Sequence, residues 1–331
     1  MTETRKRIYI PYSAASRRQY WRDEQLERLQ HSFDVTLAGA EGGWSAVPAG
    51  VHGFLCGWGA SALPAAVWQA QEALEAVAIF GGSPQAVEDV AGLLERGVCI
   101  SNASDEMAEG VAEATVALLL AGQLDVVNSA TRFRRAFDAS YSPRLSRSLC
   151  GSTIGMIGFG FVGRHVARML QGFGANLLVS DPYVDVAQVE AAGCRVVSLE
   201  ELLRRSDVVT LHAGLTAETE GFITGPLLDL LREQALVVST ARTSIFDERA
   251  LAERVARGRL RFASDFIPLD AEVWEPLHGC EHLIGVHGHT SVTTRTVLRM
   301  TDRVIADLEA ILNGEGAVGH RVLPPWIERT T

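Results

Sequence analysis

The sequence has no excess of basic residues and no long apolar run. Its 331 residues contain 30 Lys and Arg against 40 Asp and Glu, which gives a formal net charge of −10. Because nucleic acids and anionic membranes attract cationic surfaces, this balance disfavours both as partners. No segment approaches the roughly eighteen apolar residues of a membrane span, and the apolar run near the N-terminus ends at Pro11, too early for a signal peptide. We therefore expect a cytoplasmic protein whose ligand is a small molecule.

Cysteine pairs typical of disulfide frameworks and metal sites are also lacking. The chain has no CxxC pair, and its cysteines are odd in number and widely spaced, which predicts reduced, mostly buried thiols. They are Cys56, Cys99, Cys150, Cys194 and Cys280. We find no short internal repeat and no low-complexity tract. A chain of this length with 47% hydrophobic residues and 31 glycines is typical of an α/β enzyme with two domains.

Short apolar runs alternate with amphipathic stretches along most of the chain. The alternation is clearest after the polar segment Asp138–Ser152, where strands such as TIGMIG, ANLLVSD and ALVVSTA are separated by predicted helices. This rhythm predicts parallel strands with crossover helices on both faces of the sheet. A long apolar helix over Glu106–Phe133 is expected where the first domain passes to the second.

The segment GFGFVG carries three glycines between a predicted strand and a predicted helix. Gly158, Gly160 and Gly163 form the pattern G-x-G-x-x-G. The first permits a tight turn, the second lets the backbone approach a pyrophosphate, and the third lets the helix pack on the strand. The amides of Phe161 and Val162 open the helix, where its dipole favours an anion. The context predicts a dinucleotide site, and a glycine-rich turn without a ligand is the alternative.

Asp181 ends the next predicted strand, eighteen residues after Gly163. A carboxylate there can accept hydrogen bonds from both ribose hydroxyls and would repel a 2′-phosphate. No basic residue follows it closely. The sequence therefore favours NAD over NADP.

From these motifs onward the sequence resembles the NAD-dependent D-isomer-specific 2-hydroxyacid dehydrogenases. The segments TIGMIGFGFVGRHVA, SLEELLRRSDVVTLHAGLTAETEGFI, ALVVSTARTSIFDERALAERVARGRL and VHGHT follow one another in the family's order. The resemblance implies two Rossmann-like, doubly wound parallel-sheet domains. The NAD-binding domain, residues 107–297, would be inserted into a flavodoxin-like substrate-binding domain of residues 1–106 and 298–331. It also implies a homodimer, with Glu106–Phe133 as a candidate partner surface, and an ordinary buried core helix is the alternative explanation of the apolar face of this segment.

The resemblance assigns the catalytic roles to three residues. Arg242, in the segment TAR, would bind the substrate carboxylate and polarise the keto oxygen with its planar charged fork. His287 would exchange the proton of the keto oxygen, and the segment LIGVH favours it over His289. Asp270 would orient this histidine, although it is one methylene shorter than the family's glutamate. Glu272 is the alternative, because the interval from Arg242 to Asp265 is one residue short.

The same resemblance assigns residues that contact the cofactor and the substrate. The cofactor contacts would be the backbone of Thr240 and Ala241, the segment that contains Ala213, Gly214 and Thr219, and Asp265 on the nicotinamide carboxamide. Gly214 replaces a proline that is usual in the family. The substrate carboxylate would meet the backbone amides of Gly81, Gly82 and Ser83. The family's aspartate and asparagine after this loop are not recognisable, which leaves the substrate open.

Three hypotheses about function follow. The first is an oxidoreductase that interconverts a 2-keto acid and a D-2-hydroxy acid with NAD. The second is an NAD(H)-sensing, corepressor-like protein on the same fold with weak or no turnover, which the shorter Asp270 would suit. The third is a metalloenzyme built on His278, Cys280 and His282, which alternate along an extended segment. Because the dehydrogenase hypothesis already accounts for this segment, no metal is expected.

Overall fold

The structure, a computed structural model, describes residues 5–82, 84–135, 146–216, 218–265, 271–286, 288 and 290–322. The chain divides into two compact units. The first contains the described residues up to Met107 and those from Val292 to Val322. The second contains Ala108–Ser291.

The first unit is built on one sheet. Its described strands are β1 Arg7–Ile10, β2 Asp34–Leu37, β3 Gly53–Gly57, β4 Ala76–Phe80, β5 Cys99–Asn102 and β13 His320–Arg321, numbered along the whole chain. They lie in the order β13-β5-β4-β3-β1-β2. All neighbours are parallel except β13, which runs antiparallel to β5 at the edge. The five parallel strands follow the order 2-1-3-4-5, which is the flavodoxin-like arrangement.

Both faces of this sheet are buried. Successive residues of β1 and β3 alternate between two apolar clusters, with Ile8 and Leu55 in one and Tyr9 and Phe54 in the other. A strand that is covered on both faces needs a continuous apolar run, which explains the sequences RIYI and GFLCG. The helices of this unit are α1 Ala14–Tyr20, α2 Asp23–Ser32, α3 Ala65–Gln69, α4 Val90–Glu95, the start of α5 Ser104–Gln123, and α13 Thr294–Leu312.

The second unit contains a fully parallel sheet. Its strands are β6 Thr153–Ile157, β7 Asn176–Ser180, β8 Arg195–Val196, β9 Val208–Leu211, β10 Ala235–Ser239, β11 Leu260–Ser264 and β12 Leu283–Gly285. Their order is β12-β11-β10-β9-β6-β7-β8, so the strand order reverses direction at β6. In open parallel sheets, ligands bind outside the carboxyl ends of the strands at such a reversal.

Helices cover both faces of the second sheet. They are the rest of α5, α6 Val126–Arg135, α7 Phe161–Leu170, α8 Val186–Ala191, α9 Leu199–Arg205, α10 Gly225–Leu228, α11 Glu248–Ala256 and α12 Ala271–Trp274. Short 3₁₀ turns occupy Pro84–Ala86, Gln171–Phe173, Thr243–Ile245 and Glu275–Leu277. The two sheets with helices on their faces confirm the predicted α/β class with doubly wound parallel strands.

The prediction of one long helix over Glu106–Phe133 is wrong. Helix α5 ends at Gln123 and α6 begins at Val126, and the two are bent by 64°. Asp125 between them has a φ of 53°, a left-handed conformation that aspartate tolerates better than most residues. The Asn128 side chain donates a hydrogen bond to the Asp125 carboxylate (2.6 Å), which stabilises the break.

No single described helix is long and apolar enough to cross a membrane. The bent pair α5 and α6 meets the length and composition criteria together.

All five cysteines are free thiols; Cys56 and Cys194 are buried, whereas Cys150 is exposed. Burial raises the pKa of the Cys56 thiol to about 12.

Candidate active site

The turn between β6 and α7 needs glycine at two of its three motif positions. Gly158 has a φ of +94°, and a Cβ atom there would lie 2.8 Å from the backbone nitrogen of Ala213. A Cβ on Gly163 would lie 2.6 Å from the carbonyl oxygen of Gly158. Any side chain at either position would push the turn away from β9 or the helix away from the turn. These contacts are the close approaches expected of a dinucleotide-binding turn.

Gly160 serves a different purpose, because a Cβ there would meet no protein atom within 4 Å. This residue caps α7 and has no side chain to accept hydrogen bonds from the first helical amides. The first turn of a helix leaves such amides without helical acceptors, and the helix dipole adds positive potential there. The open space beside Gly160 and the amide donors of Phe161 and Val162 therefore fit a pyrophosphate.

Asp181 lies at the end of β7, beside this turn. One carboxylate oxygen accepts a hydrogen bond from the amide of Phe159 (2.8 Å), and the other accepts from the amide of Tyr183 (2.9 Å). The carboxylate is thus fixed against the glycine turn. Each carboxylate oxygen has a second acceptor position, so Asp181 keeps the capacity to bind ribose hydroxyls.

The segment after β9 packs against the glycine turn. The Thr219 hydroxyl donates to the carbonyl oxygen of Gly214 (2.7 Å) and accepts from the amide of Thr216 (2.7 Å). These bonds close a loop that contains Gly214. Ala213 is half-buried at the start of this loop, with its nitrogen against Gly158.

His212 lies beneath the glycine turn. A Cβ on Gly163 would be 3.8 Å from its ring, and its Nε2 lies 3.1 Å from the Thr210 hydroxyl oxygen. Burial lowers the pKa of His212 to about 3. The ring is therefore neutral near pH 7, which suits a structural role and not that of a proton donor.

The residues after β10 place an arginine at the same edge of the sheet. The Thr240 hydroxyl lies 3.0 Å from that of Thr115 on α5, and the Ser239 hydroxyl donates to the carbonyl oxygen of Ala241 (3.2 Å). Arg242 follows, with an exposed side chain, and begins the turn Thr243–Ile245. Its guanidinium carries a positive charge and offers a planar set of donors.

Asp265 follows β11 and is only 5% exposed. Its amide donates to the carbonyl oxygen of Ser239 (3.1 Å), and its carboxylate accepts from the amide of Thr290 (3.3 Å). Five features of the candidate site thus lie at one edge of one sheet, at the carboxyl ends of β6, β7, β9, β10 and β11. They are the glycine turn, Asp181, Ala213, Arg242 and Asp265.

Three predicted site residues, Ser83, Asp270 and His287, lie outside the described residues, as does His289. Glu272, the alternative to Asp270, is exposed on α12.

In the first unit, Gly81 follows β4 with a φ of +122°, and a Cβ there would lie 3.0 Å from the indole nitrogen of Trp58. Gly82 is next to it, and a Cβ there would lie 3.3 Å from the Ser104 side chain.

Sequence reasoning missed Glu248. Its carboxylate accepts hydrogen bonds from the side chains of Thr243 and Trp274. The sequence shows it only as an acidic residue in the first turn of a helix, because Trp274 lies 26 residues away and belongs to no motif.

Within the described part of the chain, no three or more His, Cys, Asp or Glu residues are grouped so that they could hold a metal ion.

The sequence matches the family model of the D-isomer specific 2-hydroxyacid dehydrogenase, NAD binding domain, over residues 116–289, more than half of the chain. The chain belongs to this family. The resemblance inferred from the motifs is therefore confirmed. The matched region contains the glycine turn, Asp181, Arg242 and Asp265.

Individual relatives carry several activities. The D-3-phosphoglycerate dehydrogenase of Methanocaldococcus jannaschii is 29% identical over 250 residues, which cover 74% of this chain and 47% of that protein. The glyoxylate reductase of Korarchaeum cryptofilum is 30% identical over 236 residues, which cover 69% of this chain and 70% of that protein. The chain thus spans about half the length of the first of these relatives.

A solved structure shows the same fold over nearly the whole chain. It is the NADPH-dependent glyoxylate/hydroxypyruvate reductase of Sinorhizobium meliloti in complex with NADP and malonate, with 25% sequence identity and a TM-score of 0.77. The match covers 96% of this chain and 97% of that one.

Gly160→Ala tests whether the open space beside the turn belongs to a nucleotide. We expect NADH affinity, measured by fluorescence titration, to fall about tenfold or more, because a methyl group would occupy the space needed for close backbone approach. The thermal midpoint should stay unchanged, since the added Cβ meets no protein atom within 4 Å. Gly172→Ala is the matched control, because its Cβ also meets nothing. Unchanged NADH affinity in Gly160→Ala would place the nucleotide elsewhere.

Proposed function

We propose that this chain is an oxidoreductase that interconverts a 2-keto acid and a D-2-hydroxy acid with NAD(H). The observation that supports it most is the position of Arg242 at the same sheet edge as the glycine turn and Asp181. A permanently charged fork beside a dinucleotide site suits a substrate that carries a carboxylate next to a carbonyl.

Each site residue has a distinct role in this proposal. Arg242 binds the substrate carboxylate and polarises the keto oxygen, and the amides of Gly81, Gly82 and Ser83 bind the same carboxylate. The bound nicotinamide supplies the hydride that the carbonyl carbon receives. His287 donates a proton to the keto oxygen in reduction and takes it back in oxidation, while Asp270 holds the ring in the right tautomer.

The remaining residues hold the cofactor. The helix amides at Phe161 and Val162 bind the pyrophosphate, Asp181 binds the ribose, and Asp265 accepts from the nicotinamide carboxamide. The rest of the cofactor is contacted by five residues: Ala213, Gly214, Thr219, Thr240 and Ala241. The fixed carboxylate of Asp181 supports NAD over NADP, because a 2′-phosphate would meet a like charge.

A homodimer in the cytoplasm is also part of the proposal. Apolar side chains on and beside α6 are exposed, with Phe133 67%, Val126 52% and Leu124 45% accessible. Such a surface supports association of two copies through this helix. The five free thiols support a reducing compartment.

A panel of 2-keto acids tests the proposed activity. We expect NADH absorbance to fall with at least one of glyoxylate, hydroxypyruvate and bulkier aliphatic or aromatic keto acids. Turnover of none of them, despite tight NADH binding, would contradict the dehydrogenase and favour the NAD(H)-sensing alternative.

Arg242→Lys tests the carboxylate-binding role. Lysine keeps the charge but loses the planar fork, so kcat/KM for the keto acid should fall about a hundredfold or more. NADH affinity should change little, because Arg242 is not assigned to the cofactor. Arg249→Lys, an exposed arginine on α11, is the control. Equal kcat/KM values for the two variants would remove Arg242 from the catalytic set.

Asp181→Asn tests the choice of cofactor. The wild-type chain should prefer NADH over NADPH, and the variant should narrow this preference about tenfold, because it removes the like charge that faces the 2′-phosphate. The ratio of kcat/KM for the two cofactors is the measurement, with Glu190→Gln, a change at an exposed residue of α8, as the control. A preference for NADPH in the wild type would contradict the NAD assignment.

A further inference from the structure

The carboxylate of Glu248 is held by two neutral donors. One oxygen accepts from the Thr243 hydroxyl at 2.8 Å, and the other accepts from the indole N–H of Trp274 at 3.2 Å. Both donor residues are buried, with Thr243 3% and Trp274 4% exposed. Glu248 is half-buried, and none of the ion pairs between described residues includes it. Its position therefore depends on these two hydrogen bonds and not on a charged partner.

The first donor belongs to the turn that carries Arg242. Thr243 directly follows Arg242, and its burial points it into the unit while the arginine side chain is exposed. The turn is closed by a hydrogen bond from the amide of Phe246 to the carbonyl oxygen of Thr243 (2.9 Å). The bond to Glu248 joins this turn to the first residue of α11.

The second donor belongs to the helix that follows Asp270. Helix α12 begins at Ala271, the next residue in the chain, and ends at Trp274. The Trp274 ring packs on Phe262 of β11, with ring centroids 5.3 Å apart and planes at 33°. This packing fixes the ring, and the hydrogen bond to Glu248 fixes the direction of its N–H. Glu248 thus links the Arg242 turn to α12.

We propose that Glu248 is a positioning residue that holds the turn of Arg242 against α12. This inference rests on the proposed function, in which Arg242 binds the substrate carboxylate and polarises the keto oxygen. Productive geometry tolerates little displacement of such a group. One carboxylate that accepts hydrogen bonds from both Thr243 and Trp274 holds the turn and α12 in a single arrangement.

A purely structural role makes a different prediction. A carboxylate in the first turn of α11 stabilises the helix through its interaction with the helix dipole, wherever the side chain points. This effect needs neither Thr243 nor Trp274. Loss of that effect would lower stability without changing the substrate steps. The two roles are therefore separable by kinetics and by variants that keep the hydrogen bonds.

The test uses four single variants and one double variant of the full chain, with the best keto acid of the panel. Glu248→Ala removes both bonds, and Glu248→Gln can keep both, because its amide can donate to the Thr243 oxygen and accept from Trp274. Trp274→Phe keeps the packing on Phe262 but lacks the N–H. Glu253→Ala, an exposed glutamate on α11, is the control. For each variant kcat, KM for the keto acid, the NADH dissociation constant and the thermal midpoint are measured.

In Glu248→Ala we expect KM to rise and kcat to fall, so that kcat/KM drops about tenfold to a hundredfold, with NADH affinity within about twofold of wild type. Glu248→Gln should recover most of the loss. Trp274→Phe should change the same two constants in the same direction. The double variant Glu248→Ala with Trp274→Phe should be no slower than Glu248→Ala alone, because both changes remove one shared bond.

Two results would overturn the proposal while leaving the proposed function intact. In the first, the wild type turns over the keto acid and Glu248→Ala matches Glu253→Ala in kcat and KM. In the second, Glu248→Ala loses thermal stability or NADH affinity without a change in kcat or KM for the keto acid. Absence of turnover by the wild type itself would instead overturn the proposed function, and the positioning role with it.

Discussion

The second unit depends on a turn that only glycine can make. At Gly158 the backbone adopts a φ of +94° and lies so close to the end of β9 that a Cβ would be 2.8 Å from the nitrogen of Ala213. This contact sets where β6 ends relative to β9, and it places the first turn of α7 at the edge of the sheet. The carboxylate of Asp181 then accepts from the amide of Phe159 inside the same turn. The candidate nucleotide site is therefore one packed unit, in which the turn, the Asp181 carboxylate and the segment after β9 fix one another.

The first unit uses the same device at the carboxyl ends of its strands. Gly57 has a φ of +115°, and a Cβ there would lie 2.2 Å from the carbonyl oxygen of Phe80, at the end of the neighbouring strand. Gly81 follows with a φ of +122° beside the ring of Trp58. Residues without a side chain let backbone amides come close together, and such amides can bind a carboxylate without a charged residue. Close backbone approach thus underlies the proposed binding of both the cofactor and the substrate.

The features that sequence alone predicted are local ones. Alternating apolar runs predicted the α/β class. Three closely spaced glycines, with Asp181 one strand later, predicted the dinucleotide-binding turn, because strand, turn and helix follow one another directly in the chain. The break of the long helix at Asp125 was missed, since apolar periodicity continues across a single left-handed residue. The Glu248 contact was missed because it joins a helix start to a tryptophan 26 residues later, and only the folded sheet brings the two together.

In the proposed reaction, a hydride passes from the nicotinamide to the carbonyl carbon of a 2-keto acid. This transfer is tested most directly with NADH that carries deuterium at C4 on the transferred face, followed by mass spectrometry and chiral analysis of the product. The account predicts one deuterium at C2 of a hydroxy acid of D configuration. A product of L configuration, a product without deuterium at C2, or recovery of unreacted keto acid with every substrate of the panel would contradict it.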